Sequence, residues 1–166
     1  MRKGNSKVFL YAALALVIVY LLAYVWVHYF AEAGNQAYLY QVDRKEFYVR
    51  LVAADQPSWE KGLMNTTITN STMMVFVFPA PGFYPFWMEN TRSNLDMMWL
   101  NVSGGSGSVV YLVRNATSCV GESLSWCKDN TYYPTAVANY VIEAKAGFAE
   151  ANNITVGTRV GLGRIS

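Results

Sequence analysis

Histidine is nearly missing from this chain. Its single imidazole, His28, lies near the end of an apolar run, and residues 29–166 contain none. That absence excludes Ser-His-Asp and Cys-His hydrolysis, His-Glu-x-x-His zinc chemistry and histidine-based metal sites from the rest of the chain. Charge is sparse as well, at 14% of residues, against roughly 25% in an average soluble protein. There is no basic excess: Arg2, Lys3 and Lys7 precede the apolar run, and the ten remaining basic residues face eleven acidic ones. A basic nucleic-acid surface is therefore not implied. Neither a phosphate-binding Gly-x-x-x-x-Gly-Lys-Ser/Thr loop nor a dinucleotide fingerprint occurs. An enzyme built from these residues has carboxylates, hydroxyls or a bound hard metal to work with; no cofactor and no metal site is expected.

What is present begins with the apolar run. Residues 8–30 contain no Asp, Glu, Lys or Arg, and as a helix they would reach about 34 Å, enough to cross ~30 Å of hydrocarbon. Tyr11 stands near one end and Tyr24, Trp26 and Tyr29 near the other, while the three flanking basic residues are N-terminal, so the N-terminus is expected inside and the remainder outside. The competing reading is a cleaved signal peptide, because Ala31-Glu32-Ala33 before Gly34 has the form of a cleavage site. The expected organisation is a cytoplasmic basic tail over residues 1–7, a transmembrane helix over 8–30, a juxtamembrane spacer over 31–44 and an extracytoplasmic domain over 45–166. This makes the chain a single-pass cell-membrane protein.

Two further features point outside the cytoplasm. Five Asn-x-Ser/Thr triplets, at Asn65, Asn70, Asn101, Asn115 and Asn153, can accept N-glycans. The alternative is that Asn and Ser/Thr share loops because both suit turns. Cys119 and Cys127 are the only cysteines and lie in a turn-rich stretch, where a disulfide is the expectation in an oxidising compartment. A redox-active pair would normally show Cys-x-x-Cys spacing.

Alternation of Phe47, Val49, Leu51 and Ala53 against polar neighbours predicts a half-buried strand. A short helix follows, with Asp55 to cap it, Pro57 in its first turn and Gly62 at its end. Strands are expected at 73–78, 85–90, 95–102, 108–114, 138–144 and 158–164, and a second short helix around 148–152. Short links between successive strands call for antiparallel neighbours. The fold class is therefore mainly β, an antiparallel sandwich or partly closed barrel with one or two short helices, preceded by the N-terminal transmembrane helix.

The particular words of the chain add to this. Glu60-Lys61-Gly62-Leu63-Met64, Met74-Val75-Phe76-Val77-Phe78 and Phe86-Trp87-Met88-Glu89-Asn90-Thr91 are followed by Leu95-Asp96. Cys119, Cys127, Tyr133-Pro134, Tyr140-Val141-Ile142-Glu143, Gly147 and Ile154-Thr155-Val156-Gly157 complete the series. Together they resemble the domain of unknown function 192 family over about residues 46–165. The resemblance implies a mainly β domain, usually exported in bacteria and archaea, with no established activity; this chain resembles a membrane-anchored archaeal member. Met73, Asn65 and Thr158 depart from the family pattern, which commonly has a glycine, a basic residue and an acidic residue there.

Asn90, Thr91 and Asp96 form a polar group in an aromatic, Met-rich stretch, and Glu143 stands in an apolar strand. A carboxyl among apolar neighbours titrates high and can act as general acid or base, so Asp96 and Glu143 are the candidate catalytic pair. The structural alternative has Asp96 and Asn90 capping a turn while Glu143 faces water. Phe83, Tyr84, Phe86, Trp87, Trp99 and Trp126 could supply a flat platform for a sugar or peptide. Met73, Met88 and Met97 could share a face suited to Cu(I), against the commoner use of Met as core filler. The expected function is binding of a small molecule, glycan or envelope protein through Trp87, Asn90, Thr91 and Asp96. The alternatives are a carboxylate-dependent hydrolase or lyase acting on a surface polymer, and a structural subunit of a membrane complex.

Overall fold

Three stretches are apolar on both alternations, 73–78, 95–102 and 138–144, a pattern that suits strands covered on both faces. In the computed structural model, which describes residues 11–24 and 37–165, these stretches form the middle of a single sheet. From Ala37 onward the elements are β1 (Ala37–Val42), β2 (Lys45–Val49), β3 (Leu51–Ala53), α1 (Gln56–Lys61), β4 (Met73–Gly82), β5 (Leu95–Ser103), β6 (Ser106–Ala116), α2 (Leu124–Asp129), β7 (Ala138–Lys145), α3 (Phe148–Ala151) and β8 (Arg159–Ile165). The sheet order is β2-β1-β8-β6-β5-β7-β4-β3.

The sheet curls into a partly closed barrel. β2 and β3 lie at opposite ends of the order, yet only Arg50 separates them in the chain, and β1 touches β3 while β2 touches β4. The concave side is filled by Tyr40, Val49, Val75, Met98, Leu100, Ile142 and Ile154, drawn from across the sheet. The convex side carries a second core, Phe76, Met88, Leu95, Met97, Trp99 and Val141, roofed by α1, the 84–91 segment and α2. A disulfide joins Cys119 to Cys127 across 8 residues of sequence and ties α2 into that roof.

The structure corrects several expectations. Residues 11–24 are helical, and among the described residues no helix is long and apolar enough to cross a membrane. The transmembrane helix expected over residues 8–30 is thus not found among the described residues; the basic tail, residues 8–10 and 25–30 with His28, and the Ala31-Glu32-Ala33 motif lie outside them. Residues 37–42, read as spacer, instead form β1, hydrogen-bonded between β2 and β8. The sheet is not wholly antiparallel: β3 pairs parallel to β4, because residues 54–72, with α1 among them, are long enough for a crossover. No strand forms at 85–90, where the only pairing is one bridge between Phe86 and Tyr132. α2 was not expected; Ser123 caps it through a bond from Trp126 N.

Asp55 does cap α1. Its Oδ1 accepts from Ser58 N at 2.9 Å while Ser58 Oγ accepts from Asp55 N at 3.1 Å, and Gly62 closes the helix at φ 47°. This reciprocal cap fixes the helix that forms one wall of the cavity described next.

Candidate functional site

Glu143 sits in the middle of the sheet. On β7 it lies opposite Met74 of β4 and Met97 of β5, and side chains directly opposite share a face. Val141 and Glu143 therefore point to the convex side, while Ile142 and Ala144 point inward. The expectation that Glu143 faces water in the absence of a catalytic role is not met: it is 4% exposed. Its Oε2 is buried without a hydrogen-bond partner. Burial alone pushes the carboxyl up from 4.5 to about 8, because charge is costly to desolvate.

Above Glu143 is a cavity of about 390 Å³, walled by α1 with residues 62–64 on one side and by residues 84–91 on the other, with Phe76 and Phe78 from the sheet. This falls within the range of small-molecule sites. The aromatic walls are mutually braced. Phe78 and Tyr84 stack at 3.6 Å, Trp59 tilts against Phe78 at 5.2 Å, and Phe86 meets Phe76 edge-on at 4.7 Å. Trp59 Nε1 donates to the carbonyls of Ala53 and Val77, anchoring α1 to the sheet. Trp99 is fully buried beneath the roof, and its Nε1 donates to the Tyr84 carbonyl at 2.8 Å. Gly62 is required where it stands: its φ is positive, and a Cβ there would meet Phe76 Cζ at 3.3 Å and Glu143 Oε2 at 3.9 Å.

Of the residues expected to bind ligand, two line this cavity and two do not. Trp87 and Thr91 line it. Asn90 is exposed, adopts φ 51° and uses its carbonyl to accept from Asn65 N, the role of a turn residue. Asp96 is buried on the other face of the sheet, where Oδ1 accepts from Asn115 N and Oδ2 from Ala149 N, each at 2.8 Å. Asp96 and Glu143 are not brought together, and the carboxylate pair does not form. Phe86 and Trp87, which alternation would send to opposite faces, line the same cavity because their segment is not a strand.

The methionines do not gather either: Met73 belongs to the concave core, Met88 and Met97 to the convex one. Among the described residues no three His, Cys, Asp or Glu side chains are grouped to hold a metal ion. Phe83 and Trp126 are exposed, apart from the cavity. Asn65, Asn70, Asn101, Asn115 and Asn153 are all exposed; Asn65, Asn115 and Asn153 adopt positive φ, a conformation Asn tolerates in turns. The residues missed by sequence reasoning are those around α1, above all Trp59 and Gly62. The signal for Gly62 was the Glu60-Lys61-Gly62-Leu63-Met64 word, read only for helix capping and resemblance, and Trp59 stands immediately before it.

Residues 39–162 match the model of the domain of unknown function 192 family, described as an uncharacterized ACR. No curated protein matches the chain. Two similar solved structures share the fold. One is a protein of unknown function from Novosphingobium aromaticivorans, 22% identical, with TM-score 0.59 over 75% of this chain and 82% of that one. The other, from Sinorhizobium meliloti, is described as a candidate transcription regulator and is 20% identical, with TM-score 0.63 over 79% of this chain and 95% of that one.

Proposed function

The chain belongs to the domain of unknown function 192 family, and from its geometry we propose that it is a binding domain for a small, largely apolar molecule held between α1 and the 84–91 segment. The observation that carries this reading is Glu143 Oε2, a buried polar atom without a partner at the floor of an aromatic cavity. A buried oxygen left unpaired costs about 1–3 kcal/mol, and a ligand group that reaches it recovers that cost. Trp87, half-buried at the wall, offers apolar contact area. The disulfide supports a location in an oxidising compartment.

The test is a thermal-shift screen of the full chain against small aromatic and aliphatic compounds, with Glu143→Gln and Trp87→Ala beside it. A ligand at 100 times its Kd stabilises by about 2.7 kcal/mol. A shift weakened in both variants supports the reading; shifts indifferent to both variants, or none in a folded chain, overturn it.

A second reading rests on the same carboxyl. A glutamic acid that titrates at about 8 is held in the form a general acid needs near neutrality. With Asp96 on the other face of the sheet, Asp96 would not be its partner. Product formation abolished by Glu143→Gln with binding retained would favour it.

A further inference from the structure

Four side chains bordering the cavity commit hydrogen-bond donors to partners other than Glu143. Trp59 Nε1 is taken by two backbone carbonyls, Gln56 Nε2 by Glu60, the Tyr84 hydroxyl by the Ala80 carbonyl and Thr91 Oγ1 by the Glu89 carbonyl. Lys61, exposed at the rim, does not relieve the carboxyl, whose shift arises from burial alone. None of the side chains bordering the cavity donates to Glu143 Oε2, which leaves that oxygen open to a donor on a ligand.

The surroundings select the kind of donor. A neutral hydroxyl or amide would add one ordinary hydrogen bond and leave the carboxyl protonated. An ammonium would make a charge-assisted bond, roughly twice as strong, in a water-poor setting. The rings of Trp59, Phe86 and Trp87 border the same cavity, and aromatic faces attract cations. Charged side chains on the rim are Glu60, Glu89 and Lys61, a balance of one negative charge.

Resting on the binding reading above, we infer that the ligand is an organic cation, a primary or secondary amine on an apolar body. Its N–H groups bond the Glu143 carboxylate and its body packs between Trp87 and α1. When an ammonium enters from solution the Glu143 proton leaves to solvent, so the bound pair is R–NH3+ with carboxylate and one proton is released. The other titratable groups bordering the cavity are Glu60 and Lys61 beside α1, and Tyr84 and Glu89 of the 84–91 segment; from the sheet, Met74 and Met97 flank the carboxyl without charge.

The experiment is isothermal calorimetry on the full chain near pH 6.5 with benzylammonium as probe and benzyl alcohol and benzoate as comparators. It is run in two buffers of different ionisation enthalpy and repeated with Glu143→Gln. Benzylammonium is expected to bind at least about tenfold more tightly than benzyl alcohol, with release approaching one proton, and Glu143→Gln to abolish that preference. Proton release is read on the unaltered chain, so the test survives if the variant fails to fold. Benzyl alcohol or benzoate binding as tightly as the ammonium, or ammonium binding without proton release, overturns the cation and leaves the binding reading intact. No binding by any probe to the folded chain removes both.

Discussion

Asp96 and Glu143 lie on paired strands one register step apart, Asp96 opposite Ala144 and Glu143 opposite Met97, yet their carboxyl groups occupy opposite faces of the sheet. The period of two along a strand is the whole reason. One carboxylate is satisfied by two backbone N–H groups and ties α3 to the barrel; the other has an oxygen left bare beneath an aromatic roof. Two acidic residues of similar sequence surroundings thus end in different environments, one hydrogen-bonded within the fold and the other at the floor of the cavity.

Asp96→Ala should destabilise the domain by about 2–4 kcal/mol, since two hydrogen bonds to its carboxyl are lost and the buried Ala149 amide is stranded. Any ligand response in the α1 cavity should be unchanged. Urea unfolding together with a binding titration checks both halves, and loss of binding in a folded variant would contradict the separation of faces.

Stability should fall as pH rises from about 5 to about 8. Glu143 titrates near 8 in the folded state against 4.5 ordinarily, so across that window the native state holds a proton that the unfolded chain has released. The contribution is complete below the unfolded value and is lost as pH rises through the folded one. Its size is on the order of a few kcal/mol. Asp55, held low by its bonds with Ser58, acts only at more acidic pH and in the opposite sense. Urea midpoints at pH 5 and pH 8 should differ in the unaltered chain and converge in Glu143→Gln.

Trp99→Phe keeps most of the buried ring but removes the donor to the Tyr84 carbonyl. A loss of about 1–3 kcal/mol is expected from the unsatisfied carbonyl and the smaller ring. Because that bond holds the 84–91 segment over the cavity, ligand affinity should fall too, although Trp99 does not line the cavity. Affinity and unfolding free energy measured on one preparation decide this.

Replacing Cys119 and Cys127 together by Ser removes a short cross-link, worth about 2–3 kcal/mol of unfolded-chain entropy. Thermal unfolding with and without reductant should show the same decrement in the unaltered chain and none in the double variant.

Local chemistry made much of this molecule readable in advance. Asp55, Pro57 and Gly62 marked α1 because caps act through neighbouring backbone groups. The apolar stretches at 73–78, 95–102 and 138–144 marked the central strands because a strand buried on both faces needs apolar side chains on both. The cysteine pair required only proximity, and the two lie 8 residues apart with Cα atoms 5.8 Å from one another. Exposure of Asn65, Asn70 and Asn153 followed from their turn-rich settings, whereas Asn101 and Asn115 are exposed positions of β5 and β6.

The candidate site was only half legible. Trp87 and Thr91 were in view, and so was Glu143 as an acid in an apolar strand. That Glu143 is buried, and that Trp59, Gly62 and Phe76 converge on it, depended on the crossover that lays α1 over β4 and β7. Residues 37–42 were read as spacer, yet Tyr38, Tyr40 and Val42 are buried, because β1 is paired on one side by β8, from the far end of the domain's sequence. Capping, turn chemistry and alternation act over a few residues, so the sequence by itself determined the elements and their apolar faces. Strand order, curl and the roof depend on contacts between distant residues, and only the tertiary structure decided which carboxyl was capped and which was left without a partner.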